Sequence, residues 1–188
     1  VIDVKRDASP QIVLNHLYTY TQMQTTFGVI MLAIVDGEPK TLTLKEILQE
    51  YVRFQESVIV RRTQFELRKA QERAHILRGL QIAIDNIDEV ISIIRSSKSI
   101  PMAKERLTER FELDDIQTQA IVQMPLGRLT GLERQKLEDE LAALMVKIAD
   151  LEDILANVPR QLAIIKEEAL AVKAEFGDER RTEIATIS

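Results

Sequence analysis

The sequence predicts a mainly α-helical fold: a long antiparallel coiled-coil arm with a small helical globular tip, preceded by a short helix and β-hairpin segment at the N-terminus. Three observations predict it. Leu137, Leu141, Leu144, Ile148, Leu151, Leu155, Val158, Leu162, Ile165, Ala169, Val172 and Phe176 follow alternating spacings of four and three, and such a 3.5-residue repeat keeps one seam facing a partner helix. Six Gly and five Pro in 188 residues leave few places to turn, so the elements between them are long. The chain is 45% hydrophobic but only 4% aromatic, without Trp or Cys, a composition that excludes general disorder and suits helices rather than a sandwich or barrel. The size fits one medium domain or a piece of something larger, and the opening Val1-Ile2-Asp3 favours a fragment.

Ser9-Pro10 opens a helix expected over 9–24, because Pro loses nothing in the first helical turn; Ile12, Val13, Leu17 and Tyr20 share one face. The β-branched run Val29–Val35, then Asp36-Gly37-Glu38-Pro39 and Lys40–Thr43, reads as a hairpin around a Gly turn. Thr43 and Glu46 fit a capping box that launches a long helix toward Ile94, with Gly79 as a weak point and Asn86 and Asp88 able to divide it. Punctuation clusters again over 99–131, where Pro101, Asp114-Asp115, Pro125, Gly127 and Gly131 predict a compact knot of short helices. Thr130 and Glu133 form a second capping-box pattern opening the return helix. Pro159 predicts a kink that leaves the heptad register undisturbed, with Asn157 capping the restart and Gly177 ending the helix. At the standard rise, Leu44–Asp85 and Leu132–Phe176 span ~63 and ~67 Å, matched lengths for a hairpin arm in which Ala70 and Ala74 permit close approach.

Chemistry is sparse. Without Cys there is no disulfide or thiolate zinc site, and the compartment expected is cytosolic. No apolar run approaches the ~20 residues of a membrane span. His16 and His75 lack a metalloprotease or triad context, the glycines form no phosphate loop, and the acidic clusters flank heptad positions where solvated charge is expected. Arg61, Arg62, Arg68, Lys69 and Arg73 lie on one broad side of the first long helix. They could track a phosphate backbone, but Glu66 and Glu72 share that side and the net charge is −5, so pairing within the helix or with a neighbouring domain competes with DNA contact. Ile116, Ala120, Ile121, Met124, Pro125, Leu126 and Leu129 give the knot more apolar surface than a tiny subdomain easily buries. It is either a local core or a two-fold self-association patch.

The strings Arg61-Arg62-Thr63-Gln64-Phe65-Glu66-Leu67-Arg68-Lys69-Ala70, Arg73-Ala74-His75-Ile76-Leu77, Arg128-Leu129-Thr130-Gly131-Leu132-Glu133 and Phe176-Gly177-Asp178-Glu179-Arg180-Arg181-Thr182-Glu183-Ile184 together resemble the A subunits of bacterial type IIA DNA topoisomerases. Phe65–Ala70 and Leu129–Glu133 are more similar to DNA gyrase than to topoisomerase IV. The resemblance covers almost the whole chain in order. It implies the end of a tower domain (1–43), an outgoing arm helix (44–98), a globular tip forming the exit gate, or C-gate, dimer contact (99–131), and a returning helix with a C-terminal tail (132–188). It implies a homodimer through the tip. In the ATP-dependent supercoiling holoenzyme it implies the gyrase B subunit in an A2B2 assembly with double-stranded DNA. Mg2+ and ATP would act through that B subunit, with no cofactor in this region, in the bacterial cytoplasm at the chromosome. The family's catalytic tyrosine follows Arg and precedes Thr. Tyr18, Tyr20 and Tyr51 do not meet both requirements, so the region is expected to be inert alone. Two other classes compete: a generic coiled-coil scaffold assembling through Leu137–Phe176, and a DNA-binding module using Arg61–Arg73.

Overall fold

A computed structural model describes residues 2–185; Val1 and 186–188, at the ends of the expected 1–43 and 132–188 segments, lie outside the described residues. The fold is mainly α, and contacts divide the chain into two compact units, one through Tyr51 and one from Val52 on.

In the first unit, α1 (Pro10–Tyr20) starts after Ser9 as expected but stops four residues early. Thr21 is extended, and its N–H and hydroxyl both turn back onto the Leu17 carbonyl, the local alternative that Thr offers to helix continuation. Strands β1 (Met31–Val35) and β2 (Glu38–Leu42) pair antiparallel from Met31↔Leu42 to Val35↔Glu38. Asp36 and Gly37 both have positive φ, 52° and 83°, the type I′ requirement of a two-residue hairpin loop. Val29 and Ile30 fall outside the strand because their would-be partners lie past Leu42, where the chain turns into α2 (Leu44–Asp85). The first capping box forms: the Thr43 N–H donates to Glu46 Oε2 at 2.7 Å and the Glu46 N–H to Thr43 Oγ1 at 3.4 Å. Donation by Thr43 holds the Glu46 carboxyl below its ordinary value.

In the second unit, α2 ends where Asn86 leaves helical geometry and its side-chain amide donates to the Ile82 carbonyl at 2.9 Å. Helices α3 (Ile87–Ser96), α4 (Ile100–Phe111) and α5 (Asp115–Val122) follow, then a 3-10 turn over Leu126–Leu129. Ser99 caps α4 through the Met102 N–H, and Asp114 with Gln117 forms a reciprocal capping box on α5. Helix α6 (Gly131–Ala156) and α7 (Val158–Phe176) make the return, broken at Asn157. Two sequence expectations are corrected here. The Thr130–Glu133 box does not form, because Glu133 is taken by Lys136 at 2.6 Å. The Asn157 side chain does not cap α7 but donates backwards to the Asp153 carbonyl at 3.1 Å. The run toward Ile94 is divided at Asn86, one of the two positions the sequence marked as able to divide it.

The main core joins Leu77, Leu80, Ala83 and Ile84 of α2, Val90 and Ile93 of α3, Leu107, Leu113, Ile121 and Leu137. Arm helices and tip therefore share one core rather than meeting at a boundary. No buried side-chain nitrogen or oxygen among the described residues lacks a hydrogen-bond partner.

Candidate interaction site on a two-helix arm

Polar pairs show how α2 meets the return helices. Arg62 Nη2 reaches Glu168 Oε1 at 2.8 Å, Gln71 reaches Glu152 at 3.5 Å, Arg78 Nη2 reaches Met145 Sδ at 3.0 Å and Arg134 Nη2 reaches Asp85 Oδ1 at 2.6 Å. Position along α2 rises as position along α6 and α7 falls, so the arm is antiparallel. Glu66–Lys147 and a two-point contact of Arg73 on Glu140 form a second row running in the same antiparallel sense. Arg73 holds the Glu140 carboxyl below its ordinary value. Beneath these pairs, buried Ala70 and Ala74 pack with Ile148.

The heptad residues divide at the break. Leu137, Ile148 and Leu151 are buried, and Leu141, Leu144 and Leu155 half-buried. Beyond it Val158, Leu162, Ala169, Val172 and Phe176 are exposed, Leu162 at 42%, and Ile165 is half-buried. The expectation that Pro159 preserves the register is overturned: the one buried residue of α7 is Gln161.

The five cations are occupied locally. Arg62 and Arg73 bind the return helices, Lys69 pairs with Glu72 at 3.0 Å, Arg61 Nε donates to the Ser57 carbonyl at 3.3 Å and the Arg68 guanidinium lies 5.5 Å over the Phe65 ring. A stripe already tied to its own neighbours is a poor phosphate track.

At the tip, Met124-Pro125 ends α5, and the 3-10 turn is closed by Arg128 N–H donating to the Pro125 carbonyl at 3.0 Å. That turn projects Leu126 to 80% exposure. Ile116, at 60%, and Pro125 are also exposed, while Ala120, Met124 and Leu129 are half-buried against the core. Ile121, expected on the same patch, lies instead inside the chain's own core at 3%. Beside Leu126 runs an apolar groove of about 320 Å³, walled by Ile87, Ile91 and Ile94 of α3 with Met124 and Leu129. These α3 isoleucines were missed in the sequence because the segment reads as continuing arm, although apolar residues at 87, 90, 91 and 94 carry a helical spacing.

A clamp fastens α5 to α2. His75 Nε2 lies 2.5 Å from Asp114 Oδ2, and Gln117 Nε2 donates to the His75 carbonyl at 2.9 Å. The Gln117 N–H, and after it the His75 side chain, hold the Asp114 carboxyl below its ordinary value. A carboxyl depressed in the folded state adds stability above its unfolded pKa, and that stability is lost as pH falls through the folded one. The chain should lose stability on acidification below about pH 4. Asp114→Asn, which keeps a capping oxygen, should flatten part of that loss in urea midpoints followed toward about pH 2.5; an acid slope equal to wild type would refute the assignment.

Among the described residues, no group of three His, Asp or Glu could hold a metal ion, and no helix is long and apolar enough to cross a membrane.

Residues 1–170 match the family of DNA gyrase and topoisomerase IV A subunits. The chain is 55% identical over 184 residues to the DNA gyrase A subunit of Clostridium acetobutylicum, covering 98% of this chain and 22% of that protein. It is 53% identical over 184 residues to that of Mycolicibacterium smegmatis, with the same coverage, and 52% identical over 187 residues to that of Mycobacterium leprae, covering 100% of this chain and 15% of the relative. A helical arm with an apolar tip on this sequence framework defines a type IIA topoisomerase A-subunit region. The chain belongs to the family of DNA gyrase and topoisomerase IV A subunits, and it spans about a fifth of the length of the first two of these relatives.

Proposed function

We propose that this chain is the arm and exit-gate tip of a gyrase A subunit, working by reversible association with a second copy rather than by chemistry of its own. The observation that carries the reading is Leu126, four-fifths exposed on a turn beside an apolar groove at the tip. An isologous contact needs a projecting and a receiving feature on the same patch, and this patch has both. Ile116, Ala120, Met124, Pro125 and Leu129 complete the surface, around the buried Ile121. On this reading 1–43 is the tower end, 44–98 and 132–188 are arm, and 99–131 is the gate. The arm keeps the gate at a distance from cleaved double-stranded DNA in an A2B2 assembly with the gyrase B subunit, which supplies Mg2+ and ATP chemistry, in the bacterial cytoplasm. The cleaving tyrosine is none of Tyr18, Tyr20 and Tyr51 and belongs to another part of the full-length protein. The region alone neither cuts nor supercoils DNA.

Light scattering over a wide concentration range tests it. The wild-type chain should reach twice its 21.5 kDa mass. Leu126→Glu would place a carboxylate in the dry contact and should weaken association by about 100-fold or more while leaving helicity unchanged by circular dichroism. A wild-type monomer at every concentration, or a variant as dimeric as wild type, overturns the reading.

A further inference from the structure

The break between α6 and α7 is repaired by side chains. In a continuous helix the Leu155 carbonyl would accept from the N–H of residue 159, which is Pro and has none. The Ile154 carbonyl would accept from the Val158 N–H, but Asn157, at φ −121° and ψ 97°, takes the chain out of the helix. Helix α7 restarts with the N–H groups of Arg160 and Gln161 both on the Asn157 carbonyl, at 3.0 and 3.2 Å. Two carbonyls on the inner side are left without backbone donors. The two N–H bonds of the Gln161 amide answer them: Nε2 lies 2.9 Å from the Ile154 oxygen and 3.4 Å from the Leu155 oxygen. Gln161 is only 3% exposed, so water cannot readily take its place, and an unpaired buried carbonyl is costly. On the outer side Arg160 spans the same gap, reaching Asp153 Oδ2 at 2.5 Å and Asp150 Oδ1 at 2.9 Å. Asn157 covers the Asp153 carbonyl.

We infer that this junction is a stapled elbow of fixed angle rather than a free hinge, and that Gln161 is its positioning residue. With the amide occupying the inner position, α7 is rotated out of the heptad phase, and Val158 and Leu162 face outward. Removing the amide frees the angle. Removing Pro159 as well restores the backbone donor, and with an unbroken heptad Leu162 enters the seam. This holds whether or not the tips associate.

The chain has no cysteine, so spin labels can be placed singly on Ala142 of α6 and Glu167 of α7, both exposed. A continuous helix would separate these backbone positions by about 38 Å. Double electron–electron resonance on the 188-residue chain should give one narrow distance distribution, shorter than a continuous-helix control. Gln161→Leu, which keeps bulk and removes both donors, should broaden it at least about two-fold. Gln161→Leu with Pro159→Ala should be narrow again and lengthened to the continuous-helix value. A narrow Gln161→Leu distribution at the wild-type distance overturns the proposal. If Gln161→Leu does not fold, recovery of helicity on adding Pro159→Ala supports the proposal, and failure to recover overturns it.

Discussion

Gly79→Ala should destabilise the junction of arm and tip, although alanine is the better helix former. Gly79 is buried in α2, and a Cβ there would sit 2.7 Å from Gln117 Cβ and 2.8 Å from its Cγ, closer than packed carbons approach. Gln117 has little freedom to yield. Its amide nitrogen is on the His75 carbonyl, its Oε1 accepts from the Asp114 N–H at 3.2 Å, and its own N–H donates to Asp114 Oδ1 at 2.8 Å. Moving it opens both the capping box and the clamp, so the clash must push α5 away from α2. Replacing Gly by Ala gains up to about 1 kcal/mol of helix propensity, against about 1–3 kcal/mol for overpacking together with the strained hydrogen bonds. The net should be a loss of about 1–2 kcal/mol, seen as a lower urea midpoint at constant slope. Gly131→Ala is the control: nothing lies within 4 Å of the new methyl, and stability should hold or rise slightly. A Gly79→Ala protein as stable as wild type would show that α5 is not seated on α2 in this way.

Gly79 also marks the limit of what could be read from sequence. As a residue of a predicted helix it registers only as a weak point, since its partner Gln117 is far along the chain. Local signals carried the elements: the Asp36-Gly37 turn, the Thr43–Glu46 box, Pro10 at a helix start, and the alternating four-three spacing. Local signals also misled when a competing partner lay nearby. Thr130 and Glu133 carry the same pattern as Thr43 and Glu46, but Lys136 stands one turn along α6 and takes the carboxylate. The Asp114–Gln117 box, fully formed, lies in a segment read as a compact knot of short helices without its caps. Ala70 and Ala74, small residues singled out in the sequence at spacing four, are both buried with Ile148.

The candidate site was less legible than the arm for a physical reason. A periodic seam follows from spacing alone, whereas which apolar side chains of a compact tip face inward depends on how several short helices cross. Ile121 and Leu126 are equally apolar in the sequence, but one ends on α5 facing the core and the other on a 3-10 turn facing out. The cation stripe was legible only in part: Lys69 pairs with Glu72 within the helix, as a local rule expects, whereas Arg62 and Arg73 find acids 106 and 67 positions away, pairs that no intrahelical rule anticipates.

Leu107→Ala should be among the most damaging single changes in the tip. Leu107 is fully buried in α4, in a core supplied by α2, α3, α5 and the start of α6. Four helices converge there, so none can settle into the vacated volume without pulling its other contacts apart, and the cost should fall within the usual 2–5 kcal/mol for a large-to-small core change, roughly. With a slope of about 1–3 kcal/mol per molar urea, the midpoint of the tip transition should drop by about 1 M or more. Leu107→Ala and Leu126→Glu should both reduce dimer at elevated temperature, but by separable routes. Leu107→Ala removes folded tips and leaves the affinity of those still folded near wild type, so dimer returns on cooling. Leu126→Glu leaves the tips folded and removes affinity at every temperature. If Leu107→Ala protein, held where circular dichroism shows it folded, associates no better than Leu126→Glu protein, then the core and the association surface are one cooperative structure, and the buried Ile121 side and the exposed Leu126 side of the tip do not act separately.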